Sequence, residues 1–180
     1  MGKKKSFTEP LKFYCYPIIM GKKKSFTEPL KFYSSYGWTN LSPKEMAKRM
    51  QKATSNIIDL REQLKFQALA FTGSSGAAIA FVVGIAAQIP IIYVRKKNEQ
   101  GHGNRIECNT QAPIHSYLIV DDFTASGETV KYIYNQLQTR AKEDKRKEPI
   151  CKGVYLYDSD CNTKLQMNDD TVLDVFGQTQ

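Results

Sequence analysis

Apolar residues along this chain follow two rhythms, and their alternation predicts strands and helices in turn. From Ser42 onward, Met46, Met50, Ala53, Ile57, Leu60 and Leu64 fall on one stripe at helical spacing. Ser42 is placed to cap this helix, Pro43 fits its first turn and Glu45 completes a capping box. The ordinary expectation is a helix packed over an edge of the core; a dimerisation helix is the less ordinary one. Residues 64–71 turn apolar and predict a first core strand starting near Phe66. Thr72-Gly73-Ser74-Ser75-Gly76 follows at once and leads into AAIAFVVGIAAQ, a helix pattern. Its small residues Gly76, Ala77, Ala80, Gly84 and Ala87 would let it lie close against a sheet. The run 77–94 is apolar enough to suggest a membrane span, but Gln88 and Pro90 interrupt it, so no span is expected. They mark instead a helix end and a new strand, Ile91-Ile92-Tyr93-Val94.

From Arg95 to about Pro113 the chain is polar and without period. A structureless loop of that length in a compact domain is usually functional or disordered. Tyr117 to Val120 are four apolar residues in a row, as in a strand buried on both faces of a parallel sheet, although a run this short also fits buried helix. Val130, Ile133 and Leu137 predict a helix that ends near Arg140. Residues 142–149 mix charge signs and form a solvated connection; residues 151–157 predict another core strand, and 171–176 a short last one.

Composition narrows the class. A chain of 180 residues suffices for one well-buried core and is short for two. Apolar content of 41% and charged content of 24% are those of an ordinary globular protein. The net charge of +8 is uneven: residues 1–33 hold lysines 3, 4, 5, 12, 22, 23, 24 and 31 against Glu9 and Glu28, and so carry six of the eight charges. The remainder is nearly neutral, which does not imply a nucleic-acid-binding protein. Residues 1–14 recur unchanged at 20–33, too short a unit for a repeat fold. Residues 1–40 are accordingly expected to be a basic, partly disordered segment, and 41–180 a single domain. A nucleic-acid contact by the basic segment is the minor alternative. Cys15, Cys108, Cys151 and Cys161 contain no CxxC pair and predict free thiols in a reducing compartment, with a cytoplasmic location.

The chemistry concentrates in SYLIVDDFTASGETV, residues 116–130. An apolar strand ends in the adjacent carboxylates Asp121 and Asp122, and a small hydroxylic turn, Thr124-Ala125-Ser126-Gly127-Glu128-Thr129, leads into a helix. A strand running through a tight turn into a helix N-terminus gathers backbone N–H groups and partial positive charge around one spot, which suits a phosphate. Carboxylates on its rim suit hydroxyls or a hard cation. In order and spacing this stretch resembles the phosphoribosyl-pyrophosphate (PRPP) signature of the type I phosphoribosyltransferase family. The chain departs from it at Glu128, where many members have a second glycine, a change tolerable where the position needs no positive φ.

That resemblance implies a three-layer α/β fold, a mainly parallel sheet flanked by helices. It implies transfer of a 5-phosphoribosyl group from PRPP to a nucleobase, orotate or a purine, with release of diphosphate and help from Mg²⁺. Asp121 and Asp122 would engage the ribose hydroxyls, directly or through the metal. Thr124, Ala125, Ser126, Gly127, Glu128 and Thr129 would cradle the 5′-phosphate. Thr72, Gly73, Ser74, Ser75 and Gly76 resemble the family's pyrophosphate loop. Arg95, Lys96, Lys97 and His102 would meet the diphosphate from a closing loop, with Lys96 and Lys97 counted among the catalytic groups. Phe123 and Asp158 would touch the base. The orotate kind has a further lysine two residues before the histidine; Gln100 stands there instead. A homodimer is implied as well. The alternative is a catalytically weak protein that senses PRPP or a nucleotide.

Overall fold

The computed structural model describes residues 41–97, 99, 105–159, 162–168 and 170–178. The expectations for the basic segment 1–40, for Gln100 and His102, and for Cys15 and Cys161 lie outside these residues. The first helix, α1 (Pro43–Leu64), starts as its sequence dictates: the Ser42 hydroxyl accepts from the Glu45 N–H, and the Glu45 carboxylate accepts from the Ser42 N–H. It stops where Lys65 turns left-handed at φ 55°. Met50, Ala53 and Ile57 are buried, and Met46, Leu60 and Leu64 pack against the same core.

Five strands run parallel: β1 (Ala68–Phe71), β2 (Ile91–Val94), β4 (Ser116–Asp121), β5 (Ile150–Leu156) and β7 (Val172–Phe176). Two short strands, β3 (Ile106–Cys108) and β6 (Thr163–Gln166), close the edges antiparallel, so the sheet order is β3-β2-β1-β4-β5-β7-β6. The first core strand is shorter than expected, because Phe66 is buried but lies in the connection ahead of it. The segment 95–113 is not loop throughout, since part of it returns as β3 beside β2. The apolar pattern does not announce β6 either. Both are exposed, polar edge strands, without the buried alternation that marks a strand in sequence.

Helix α2 (Gly73–Ala87) joins α1 on one face of the sheet, and α3 (Glu128–Glu143) covers the other. Leu69, Phe71, Leu118, Val120, Tyr155 and Tyr157 point to the first face. Ala68, Ala70, Tyr117, Ile119, Val154 and Leu156 point to the second, as the two-residue period of a strand requires. The result is a three-layer α/β fold with a mixed, mostly parallel sheet. Gly76 shows how closely α2 lies on it: a Cβ there would stand 2.9 Å from Phe71 Cβ and 3.0 Å from the Val120 carbonyl oxygen. Residues 144–149 form the solvated connection expected of them, tied by an exposed Lys142–Glu148 pair at 3.4 Å. Among the described residues no helix is long and apolar enough to cross a membrane.

The chain leaves β1 through α2 to β2 on one side, whereas β4 lies on the other side of β1 and feeds α3 across the opposite face. The strand order therefore reverses between β1 and β4. In open α/β sheets such a crevice, beyond the carboxyl ends of the strands, is where ligands bind.

Candidate functional site

Asp121 is the last residue of β4 and Asp122 follows it; both are buried, at 6% and 7% exposure. Their backbone stays fastened to the end of β5, since Tyr157 N–H donates to Asp121 O at 3.1 Å and Asp158 N–H to Asp122 O at 2.8 Å. One oxygen of each carboxylate accepts the next backbone N–H, Asp122 N at 3.0 Å and Phe123 N at 2.9 Å. Burial, and then the neighbouring charge of Asp122, push the Asp121 carboxyl up to about 7, while Lys96 pulls weakly the other way. Burial followed by both aspartates raises the Tyr157 phenol. Its hydroxyl donates to the Ser75 carbonyl at 3.3 Å, tying this corner to the first turn of α2.

The turn after the acidic pair is held by its own hydroxyls. Thr124 Oγ1 accepts from Gly127 N–H at 2.9 Å, and Ser126 Oγ accepts from Glu128 N–H at 3.4 Å. Gly127 carries the left-handed backbone, φ 74°, and α3 opens at Glu128. Glu128 is therefore helical, and the second glycine of the resembled pattern is not needed at that position. Its carboxylate stands at the positive end of α3. Ala125 and Ser126 are exposed and Thr129 is half-buried.

The facing wall is the start of α2. The stretch 72–76 is less a loop than the first turn of that helix, with Thr72 as an extended N-cap (φ −140°, ψ 155°). Thr72 is buried at 4% exposure, and its hydroxyl has no hydrogen-bond partner among the described residues. Gly73 is left-handed at φ 64°, and the Cε and Nζ of Lys96 lie 3.0 Å from where its Cβ would be. Lys96 thus drapes over the first turn of α2. Ser74 is exposed and Ser75 half-buried. Thr72, Lys96, Lys97, Glu128, Thr129 and Tyr132 line one cavity of about 340 Å³.

Several sequence expectations meet in this cavity and others do not. The pyrophosphate-like turn, Lys96, Lys97 and the start of α3 are distant in sequence and come together here. Arg95 is turned elsewhere: its guanidinium donates to Glu107 at 2.9 and 2.5 Å and lies 5.4 Å from the centre of the Tyr93 ring. Glu99 accepts from the Tyr93 hydroxyl at 2.5 Å and from Lys96 N–H at 3.3 Å, and that tyrosine contact keeps its carboxyl below the usual range. Asp158 is ion-paired with Arg49 of α1. Phe123 is 44% exposed. The sequence pattern does not single out Tyr132, although it follows Thr129 by three residues and so shares its helix face. Its hydroxyl donates to the Arg95 carbonyl at 2.7 Å and fastens α3 to the end of β2.

Among the described residues no group of three or more His, Cys, Asp or Glu forms a metal cage. A hard cation held by one or two carboxylates and by ligand oxygens needs no cage, and the buried like charges of Asp121 and Asp122 fit that arrangement.

A mostly parallel three-layer sheet with its crevice at the β1–β4 reversal is the type I phosphoribosyltransferase-like architecture. In particular, the orotate phosphoribosyltransferase of Francisella tularensis is similar with a TM-score of 0.52 and 15% identity, over 77% of this chain and 67% of that one. An adenine phosphoribosyltransferase is similar with a TM-score of 0.52 and 13% identity, over 76% of this chain and 81% of that one. At these identities the likeness is one of fold. No family model matches the chain, and no curated protein does.

Proposed function

We propose that this protein is a cytoplasmic phosphoribosyltransferase that joins a nucleobase, orotate or a purine, to the ribosyl phosphate of PRPP. The observation that carries the reading is a cavity that brings Thr72 ahead of α2, Lys96, Lys97 and the start of α3 together, with a buried carboxylate pair close enough for Lys96 to act on Asp121. The reaction forms a bond from a base nitrogen to C1′ and breaks the bond from C1′ to diphosphate, which leaves with the electron pair. Positive charge gathers on the sugar and negative charge on the leaving group, so the protein must position, neutralise and exclude water rather than supply a nucleophile.

In this reading Asp121 and Asp122 hold the ribose hydroxyls, and their charge offsets the positive ring. Residues 124–129 take the 5′-phosphate on backbone N–H groups and hydroxyls at the start of α3. The N–H groups of residues 73–76, the unpartnered Thr72 hydroxyl and the Lys96 and Lys97 ammonium groups take the diphosphate. Mg²⁺, bound through substrate oxygens at Asp121 and Asp122, would supply further neutralisation of the phosphates. Phe123 and Asp158 would meet the base, Asp158 only after yielding its partner Arg49. His102 would join from the segment after β2, and the active form would be a homodimer.

A second reading, a sensor that binds PRPP without turning it over, is favoured by one feature. Arg95 is committed to Glu107 and Tyr93, which leaves the diphosphate side short of one cation. Assaying diphosphate release with PRPP, Mg²⁺ and each of orotate, adenine, guanine, hypoxanthine, xanthine and uracil separates the two. The enzyme releases diphosphate only with PRPP and the right base together. The sensor binds PRPP and releases none with any base. A protein that shows no PRPP-dependent heat or thermal shift overturns both.

A further inference from the structure

A second cavity, of about 320 Å³, lies between α1 and the β5–β7 part of the sheet and shares no lining residue with the one at the crevice. Asn56, Asp59, Leu60 and Gln63 form its helical wall; they fall at i, i+3, i+4 and i+7 and so share one side of α1. Tyr155, Phe176, Gly177 and Asn162 complete it. Tyr155 is fully buried, and its hydroxyl accepts from the Asn56 amide at 3.2 Å. Gly153, at φ 140°, makes room for the Phe176 ring, whose Cε2 lies 2.8 Å from where a Cβ would stand. The Asn162 carbonyl oxygen accepts from the Gly177 N–H at 2.9 Å, and its amide N–H groups remain for a ligand. Asp59 is the only charge among these residues, and among the described residues its carboxylate has no ion pair. Its neighbours one turn away on α1 are Ser55, Asn56, Glu62 and Gln63, so no cation on its own helix offsets it.

We infer that this cavity binds a flat group carrying two neighbouring N–H donors, with Asp59 as the acceptor. A guanidinium has such an edge, and so does a guanine ring, whose ring N–H stands beside an amino group. A carboxylate accepts both hydrogens of either in parallel. Leu60 and Phe176 supply apolar contact for the flat group, and the amides of Asn56, Gln63 and Asn162 supply further donors and acceptors. The volume is at the lower end of the roughly 300–1,000 Å³ of small-ligand sites. Anions are the class it rejects: a phosphate would meet Asp59 and no cation. In this it is the reverse of the crevice, where Lys96 and Lys97 line the cavity.

The test uses neither PRPP nor turnover, so it stands or falls apart from the catalytic reading. Calorimetry on the full chain with guanosine and, separately, with agmatine tells the two sources of that edge apart. At least one should bind with millimolar affinity or better. Adenosine has an amino group but an acceptor where guanine has its ring N–H, and should bind at least about tenfold more weakly than the better of the two. Asp59→Asn should weaken that ligand about tenfold or more with an unchanged thermal melt, because Asp59 is exposed and makes no ion pair. Three results overturn the inference: neither guanosine nor agmatine binds; adenosine binds as tightly as either; or affinity is indifferent to Asp59→Asn, as it would be for a ligand seated in the crevice.

Discussion

The crevice has two corners of the same construction, strand then turn then helix, and they solve the same problem by different means. At the β1–α2 corner a single residue, Thr72, separates strand from helix, and α2 has no side-chain cap. Its first turn presents bare N–H groups, and it is fixed by packing so close that Gly76 has no room for a methyl. At the β4–α3 corner residues 122–127 intervene, the turn is stitched by Thr124 and Ser126, and two carboxylates are buried beside each other. One corner is defined by steric fit and the other by electrostatics and side-chain hydrogen bonds. Added bulk at the first corner should therefore show in stability, and lost charge at the second in ligand use.

The sharpest contrast lies at the acidic pair. Asp121→Asn and Asp122→Asn keep shape and remove charge, and each should lower kcat/KM for PRPP about 10- to 150-fold, the ~1.5–3 kcal/mol of a hydrogen bond to a charged group. Unchanged kinetics would show that the second corner does not hold the sugar. Gly76→Ala should instead destabilise the fold by about 1–3 kcal/mol, because its methyl meets the Val120 carbonyl and the base of Phe71. Gly127→Ala should lose about 1–2 kcal/mol through its left-handed backbone, since the side chain in its way, Leu165, can swing aside. Thermal melts would rank the two, and equal tolerance of Gly76→Ala would remove the steric half of the contrast.

The pH dependence follows from Asp121, whose carboxyl is raised by burial and by Asp122. A carboxyl raised in the folded state binds its proton where the unfolded chain has already lost it. Its contribution to stability is therefore greatest below about 4 and falls as pH rises toward about 7, with no further change above that. Urea unfolding of the ligand-free protein should show this slope, and Asp121→Asn should flatten it. PRPP with Mg²⁺ should bind with proton release near neutral pH. The smallest effect is expected at Thr72→Val: stability unchanged or raised by up to about 1 kcal/mol, since a buried unpartnered hydroxyl is removed, with weaker PRPP binding. A marked loss of stability would mean that the hydroxyl serves the fold.

Much of this is legible in the order of residues along the chain. The capping box at Ser42 and Glu45, the strand 91–94, the acidic end of β4 and the helix behind Gly127 are local matters, settled by residues within a few positions of each other. So is the resemblance whose fold the sheet shares. The edge strands β3 and β6 escape such a reading because their hydrogen bonds reach partners remote in sequence and all their side chains but Ile106 and Leu165 are exposed. The fate of the cations escapes it for a related reason. Arg95, Lys96 and Lys97 are neighbours, yet a glutamate on β3 takes the first while the start of α2 receives the second.

Sequence alone settled the three helices' apolar faces, the buried strands and where the carboxylates stand at a strand's end, because backbone preference and apolar period act over short distances. Tertiary structure decided which of those ends face each other and which charges are free to meet a ligand. These depend on packing between elements, where burial and distance set the strength of each interaction.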